Sequence, residues 1–196
     1  VDLDLAYVTL REFLYSPLTV SVGRQDFVYG NGFILGGNGP NNVAVNTGLN
    51  NIAKDLSKDN TVNDGVKLIF DYKPLTLDVI YYKNNQRLFT GNAISDKTTS
   101  DVYGLNANYQ LGDSKNSVVE GYLFARVDGN DVTTTVTEKG DTLFVPGLRV
   151  STNPVKGLTT SAEVAWQLGN KTVNAGGVDQ GENRTAFAYQ LMANYA

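Results

Sequence analysis

Glu120 and Glu163 are the carboxylates that could act as a general acid and base pair. Nothing in the sequence brings them together and no third group accompanies them, so no catalytic residue is assigned. Asp128, Asn130 and Asp131 offer oxygen ligands of the kind calcium takes, but they lack the spacing of a calcium loop. A solvated turn is the plainer account of them, and no metal or other cofactor is assigned. The chain has no histidine and no cysteine, which removes imidazole bases, thiolate nucleophiles and Cys/His metal sites. What remains is charge: a few arginines and lysines among many carboxylates, on segments that alternate.

Alternation is the strongest signal. In Asp101–Leu111 the apolar set Tyr103, Leu105, Ala107, Tyr109 and Leu111 takes one face. Asp101, Gly104, Asn106, Asn108 and Gln110 are assigned to the other. A strand sends successive side chains to opposite faces, so the segment has one apolar and one wet face. Nine such segments can be read, at about 1–14, 18–29, 66–72, 75–83, 101–111, 117–127, 142–152, 158–168 and 184–195. The connections alternate between short and long. Ser16-Pro17, Lys73-Pro74, Gly112-Asp113-Ser114 and Asn153-Pro154 make the short ones, and polar stretches the long ones. These features predict an all-β chain, an antiparallel up-and-down transmembrane β-barrel with short turns at one rim and long loops at the other. The 196 residues form one barrel domain, with a long external or pore-folded loop at about 30–65. No apolar run is long enough for a membrane helix.

Aromatic residues mark two bands on the apolar parity. Tyr81, Tyr103, Phe144, Trp166 and Phe187 fall near the long-loop ends, and Phe13, Tyr72, Tyr109 and Tyr195 near the short turns. Such rings favour the headgroup zone, so two girdles around an aliphatic band are expected of a bilayer-spanning barrel. Aromatics capping the core of a soluble sandwich would explain neither the bands nor the alternating loops.

The second segment breaks the pattern. Leu18, Val20 and Val22 share a face, and continuing the count puts Arg24 and Asp26 there too. A charge on the lipid face near mid-bilayer costs about 2–4 kcal/mol. A bulge near Gly23 is therefore expected, turning Arg24 and Asp26 inward and Gln25, Phe27 and Tyr29 outward. On the first segment Val1, Leu3, Leu5 and Tyr7 are assigned outward and Asp2, Asp4 and Ala6 inward. An odd strand count starting at the long-loop rim predicts a piece of a larger, even-stranded barrel with sequence preceding Val1.

Parity assigns Asp2, Asp4, Glu12, Asp26, Asp71, Asp78, Asp101, Glu120 and Glu163 to the interior, with Arg24, Lys67, Arg126 and Arg149. The average is acidic. The three arginines either gather as a local basic constriction or pair with interior carboxylates and brace the wall. The stretch 30–65 either folds inward as a plug or lies as a disordered surface loop, and Leu49–Asp59 has the spacing of a short amphipathic helix.

The run VGRQDFVYGNGFILG at Val22–Gly36, with AYVTL upstream and LTVSV before it, resembles the alginate-export family of outer-membrane barrels. The resemblance covers about Ala6–Gly37, and the remainder matches in barrel style alone. It implies a porin-like channel with a charged constriction, through which an acidic polysaccharide leaves the cell in some members. Of the family's features only Arg24 and the Gly-rich loop carry over by position.

The expected function is thus passive passage or export of a hydrophilic, polysaccharide-type solute across the outer membrane of a Gram-negative-type bacterium. The expected partners are outer-membrane lipid and the solute, and a net charge of −4 argues against nucleic acid. Arg24, Asp26, Lys67, Asp71, Asp78, Glu120, Arg126, Arg149 and Glu163 are the pore-lining candidates. No enzyme activity is expected. A barrel that sheathes or anchors a partner protein is the alternative, and an enzyme with its catalytic residues outside this segment is a third class.

Overall fold

Nine antiparallel strands form one sheet in the computed structural model, and each pairs with its neighbour in sequence. The described residues are 5–36, 62–90, 93–128, 131–132, 137–138, 141–175 and 178–196, with side chains described for 5–36, 63–83, 100–128, 141–171 and 181–196. The strands are β1 (Ala6–Leu10), β2 (Leu18–Asp26), β3 (Val62–Asp71), β4 (Leu75–Thr90), β5 (Ala93–Gln110), β6 (Val118–Asp128), β7 (Thr142–Val155), β8 (Leu158–Ala175) and β9 (Val178–Tyr195). A separate two-residue ladder pairs Asp131–Val132 with Thr137–Glu138. No helix occurs among the described residues.

The two faces of the sheet differ. One lies beneath the segment that follows β2, residues 27–36, and is the covered face. Its core joins Phe27, Tyr29, Phe33 and Leu35 of that segment to Ile80, Tyr82, Val102, Tyr122, Phe124, Leu143, Val145 and Ala165 of β4–β8. The open face carries the alternating apolar set, Tyr103, Leu105, Leu123, Phe144, Leu148 and Trp166 among them, and these side chains stay largely exposed. Registered rows cross it, such as Val66, Tyr81, Tyr103, Ala125 and Phe144.

The expected short turns are present at one rim, where β7 runs on through Asn153-Pro154 and turns at Lys156-Gly157. At the other rim, two of the expected polar loops are strand. Between β4 and β5 the pairing continues past Lys83 to Thr90 and Ala93, and between β8 and β9 past Leu168 to Ala175 and Val178. Beyond Lys83, β3 no longer pairs with β4, and beyond Asn170, β7 no longer pairs with β8. Among the described residues each extension is a two-stranded ribbon to which no third strand is hydrogen-bonded. That explains its polar composition, which reads as loop in the sequence.

The bulge expected at Gly23 is absent. Gly23, Arg24 and Gln25 pair in unbroken register with Tyr7 and Ala6 on one side and with Gly65, Asp64 and Asn63 on the other. Arg24 and Asp26 therefore remain on the open face, whereas Gln25 is buried and Phe27 and Tyr29 enter the core instead of an outer girdle. The charge of Arg24 is met across the strands by Asp64 at 3.1 Å. Asp64 lies beside Lys83 in register, and Lys83 beside Asp101, which it approaches to 3.8 Å. Asp101 thus also belongs to the open face, where it accepts a hydrogen bond from the Tyr81 hydroxyl at 3.0 Å. On β1 the assignment is reversed. Ala6, Val8 and Leu10 share the open face with Val22 and Val20, and Tyr7 and Thr9 lie opposite Gly23 and Ser21 on the other. Glu12 sits in an exposed turn with φ of 54°. Asp2 and Asp4, most of the 30–65 stretch including the Leu49–Asp59 helix, and Asn130 lie outside the described residues.

Gly147 shows how tightly the covered face is fitted. It lies opposite Tyr122, whose ring would meet any Cβ placed there. Tyr122 cannot swing aside cheaply, because its hydroxyl donates to Glu163 at 2.8 Å. Gly147→Val is expected to destabilise the fold by about 1–3 kcal/mol, as overpacking does, seen as a lower midpoint in denaturant unfolding. An unchanged midpoint would show that the ring has room to move.

At the β5–β6 turn, Asp113 accepts the Ser117 backbone N–H at 2.7 Å. That bond, with one from the Ser117 side chain, holds the Asp113 carboxyl below its ordinary value of 3.8. A depressed folded-state value stabilises the fold above the ordinary value, and the contribution is lost as pH falls through the folded-state value. Carboxyl-carbon NMR is expected to find the Asp113 midpoint below 3.8 in the folded protein, returning to the ordinary range in Ser117→Pro.

Candidate functional site

The covered face is tiered from the long-connection rim to the short-turn rim. The first tier is charged. Arg126, 1% exposed, lies 3.2 Å from Asp128 and 3.8 Å from Asp141. Arg184 pairs with Asp141 as well, and the Ser100 hydroxyl donates to Asp128. The two arginines and two aspartates of this cluster sum to zero charge, which offsets the cost of burying Arg126.

The second tier is aromatic. Phe27 stacks on Tyr82 with centroids 4.6 Å apart, Tyr122 on Phe124 at 4.9 Å, and Tyr29 tilts against Phe124 at 5.6 Å. Lys67 stands over the Phe27 and Tyr29 rings, 5.3 and 5.6 Å from their centroids, and donates to the Asp26 carbonyl at 3.2 Å. A cation over aromatic faces is stabilised by their quadrupoles.

The third tier is a polar belt organised by the turn at Gly30-Asn31. The turn closes with the Gly32 N–H donating to the Tyr29 carbonyl and the Tyr29 N–H to the Leu35 carbonyl, both at 2.9 Å. Gly30 takes φ of 58° and leaves no space for a side chain, since a Cβ would lie 2.9 Å from a Glu163 oxygen. Its N–H donates to Glu120 at 3.2 Å. Glu120 also takes Arg149 at 3.1 Å. Asn31 reaches three strands. Its side-chain amide donates to Ser161 at 2.9 Å and Gln190 at 3.2 Å, and its carbonyl oxygen accepts from Arg149 Nε at 3.1 Å. Its backbone N–H points to Glu163 at 3.5 Å.

Below the belt an open cavity of about 350 Å³ is lined by Val28, Tyr29, Gly30, Thr76, Asp78, Asn106, Asn108, Glu120 and Arg149. Burial, and after it the charge of Asp78 and a hydrogen bond to that carboxylate, push the Tyr29 phenol well above its ordinary value.

Of the sequence candidates, Lys67, Asp78, Glu120, Arg126, Arg149 and Glu163 share the covered face, and Asp71 lies at its short-turn end with Lys73 at 4.0 Å. Arg24 and Asp26 do not share it. The three arginines form no common basic ring. Arg24 pairs with Asp64, Arg126 with Asp128 and Asp141, and Arg149 with Glu120. Glu120 and Glu163 do come together, through Gly30, Asn31 and Arg149, as anchors of a segment. Asn31, Ser161 and Gln190 escaped sequence reading, as did the aromatic tier. A signal for the latter existed: Ile80-Tyr81-Tyr82 and Tyr122-Leu123-Phe124 are apolar on both parities, the mark of strands covered on two faces.

Truncating Asn31→Ala removes its three side-chain bonds and is expected to loosen the turn by about 1–3 kcal/mol. Hydrogen exchange at the Tyr29 and Gly32 amides reads it directly, and unchanged protection there would mean that the apolar core alone holds the segment.

Comparison with known proteins finds no matching family model, no matching curated protein and no matching solved structure.

Proposed function

We propose that the sheet is the wall of a transmembrane β-barrel in the outer membrane of a Gram-negative-type bacterium. Its covered face would line a porin-like path for a hydrophilic solute. The observation that carries this is the open face. Each large apolar side chain left in water forgoes about 1.5–3 kcal/mol of burial. The exposed apolar face runs across the sheet, well beyond the patch of about 300–600 Å² usual on a soluble monomer.

The dimensions fit a bilayer. On β8 the open-face band runs from Leu158 to Leu168, about 34 Å along the strand at about 3.4 Å per residue. Tilted by about 40°, it spans about 25 Å, the height of the apolar band of such barrels. Tyr81, Tyr103, Phe144, Trp166 and Phe187 stand on this face towards one rim, and Tyr72, Tyr109 and Tyr195 towards the other. The charged row Arg24, Asp64, Lys83, Asp101 lies just beyond the Tyr81–Tyr103 row, where the headgroups would begin. The short ribbons of β4–β5 and β8–β9 then project past the membrane.

The segment 27–36 narrows the interior from within, and its Gly30-Asn31 turn sets the polar lining. Passage is passive, and no covalent chemistry is involved. The chain's one tryptophan gives a direct test, since Trp166 points to the open face near a girdle. In vesicles its fluorescence is expected to be blue-shifted and quenched by lipids brominated near the headgroup. Emission typical of water, without lipid quenching, overturns the membrane placement. Planar bilayers holding the full-length protein are expected to carry a steady ohmic current, and the lack of any open-channel current overturns the channel.

A further inference from the structure

The cavity below the polar belt has a feature that the wall itself does not explain. Asn106 Oδ1 is a buried atom without a hydrogen-bond partner among the described residues, and the Tyr29 hydroxyl and the Asp78 carboxylate, also buried, face one another beside it; all three residues line the cavity. Asn106 is 5% exposed and stands in register between Asp78 of β4 and Tyr122 of β6. Buried polar atoms are nearly always satisfied, so Asn106 Oδ1 calls for a donor from the cavity, beside the remaining bonding capacity of the Tyr29–Asp78 pair.

The chemistry of the three atoms defines the occupant. A carboxylate oxygen and an amide oxygen need donors, while a neutral phenol can give its proton to an acceptor. A hydroxyl group offers both, and neighbouring hydroxyls on one ring could serve all three atoms. The volume of about 350 Å³ lies within the range of small-molecule sites, about 300–1,000 Å³, and exceeds the needs of a bare cation. An anion is disfavoured. Asp78 and Glu120 both border the cavity, and Arg149, the lining cation, is already engaged by Glu120 and Asn31. Lys67 faces the Phe27 and Tyr29 rings.

We propose that this cavity is a binding subsite for an uncharged, hydroxyl-rich solute the size of one sugar unit, and that it prefers such a solute to an acidic one. Its role in passage rests on the channel reading. Tyr29 and Asn106 orient the hydroxyls, and Asp78 both accepts a hydrogen bond and repels carboxylates. The subsite lies where the 27–36 segment meets the wall, so a solute moving along the covered face passes it.

Calorimetric titration of the full-length protein in detergent, with maltohexaose, trigalacturonate and calcium chloride as separate probes, tests this. Maltohexaose is expected to bind at least about tenfold more tightly than trigalacturonate. Asn106→Leu, alike in branching but without the amide, is expected to weaken maltohexaose by about tenfold. Asp78→Asn keeps an acceptor and loses the charge. It is expected to hold maltohexaose within about threefold while improving trigalacturonate, so the preference stays testable if Asn106→Leu fails to fold. Equal or tighter binding of trigalacturonate overturns the proposal, as does calcium binding that Asp78→Asn abolishes while neither sugar binds. A protein that conducts ions yet binds no maltohexaose overturns the subsite and leaves the channel standing. Maltohexaose binding by a protein that passes no current overturns the channel and leaves the subsite.

Discussion

The Arg149–Glu120 ion pair is the point on which the covered face depends. Both side chains are largely buried, and removing an ion from water costs several kcal/mol, so the pair stands only with further hydrogen bonds around it. Those come from the 27–36 segment, as the Gly30 N–H on Glu120 and the Asn31 carbonyl oxygen on Arg149 Nε. The dependence is mutual. Without the segment the pair would be under-satisfied, and without the pair the Gly30-Asn31 turn would keep only its bonds to Ser161, Glu163 and Gln190. Phe27, Tyr29, Phe33 and Leu35 reach the wall because that turn is fixed, and they bring the aromatic tier with them.

The two faces follow opposite rules, and continuous register keeps them separate. A slip of one residue would exchange the faces along a whole strand. Pairing from Ala6 through β2, β3, β4, β5 and β6, unbroken but for a shift between Gln86 and Leu88, keeps Leu105 and Leu123 on the open face and Asn106 and Tyr122 on the covered one. Small residues make the inner face possible where side chains crowd. Gly147 admits the Tyr122 ring, and Gly65 faces Tyr82 and Phe27 where a Cβ would collide with both.

Much of this was legible in the sequence. The strand order, the face of each residue read as strand within β3–β9 apart from Asp101, and the shared face of Lys67, Asp78, Glu120, Arg126, Arg149 and Glu163 follow from alternation and turn residues. What failed was whatever depended on a distant partner. Arg24 looked like a lone charge in need of a bulge because Asp64, its neutralising partner, lies 40 residues away in what reads as loop. The β4–β5 and β8–β9 extensions looked like loops because a two-stranded ribbon, paired beyond the rest of the sheet, needs no apolar parity. Asn31 gave no sign because its partners Arg149, Ser161 and Gln190 lie on three strands far along the chain. Pairwise chemistry across long sequence separation is set by register, and register comes from the fold.

The row Arg24, Asp64, Lys83, Asp101 has one more consequence. Two positive and two negative side chains alternate along it, so its charge sums to zero. On the proposed placement such a row would mark the upper limit of the apolar band, where its charges meet water. It would neither be drawn towards anionic headgroups nor pushed from them, and added salt would screen no net attraction. On that placement the vertical position of the sheet would be governed by the height of its apolar band, and would stay the same when the lipid charge around it changed.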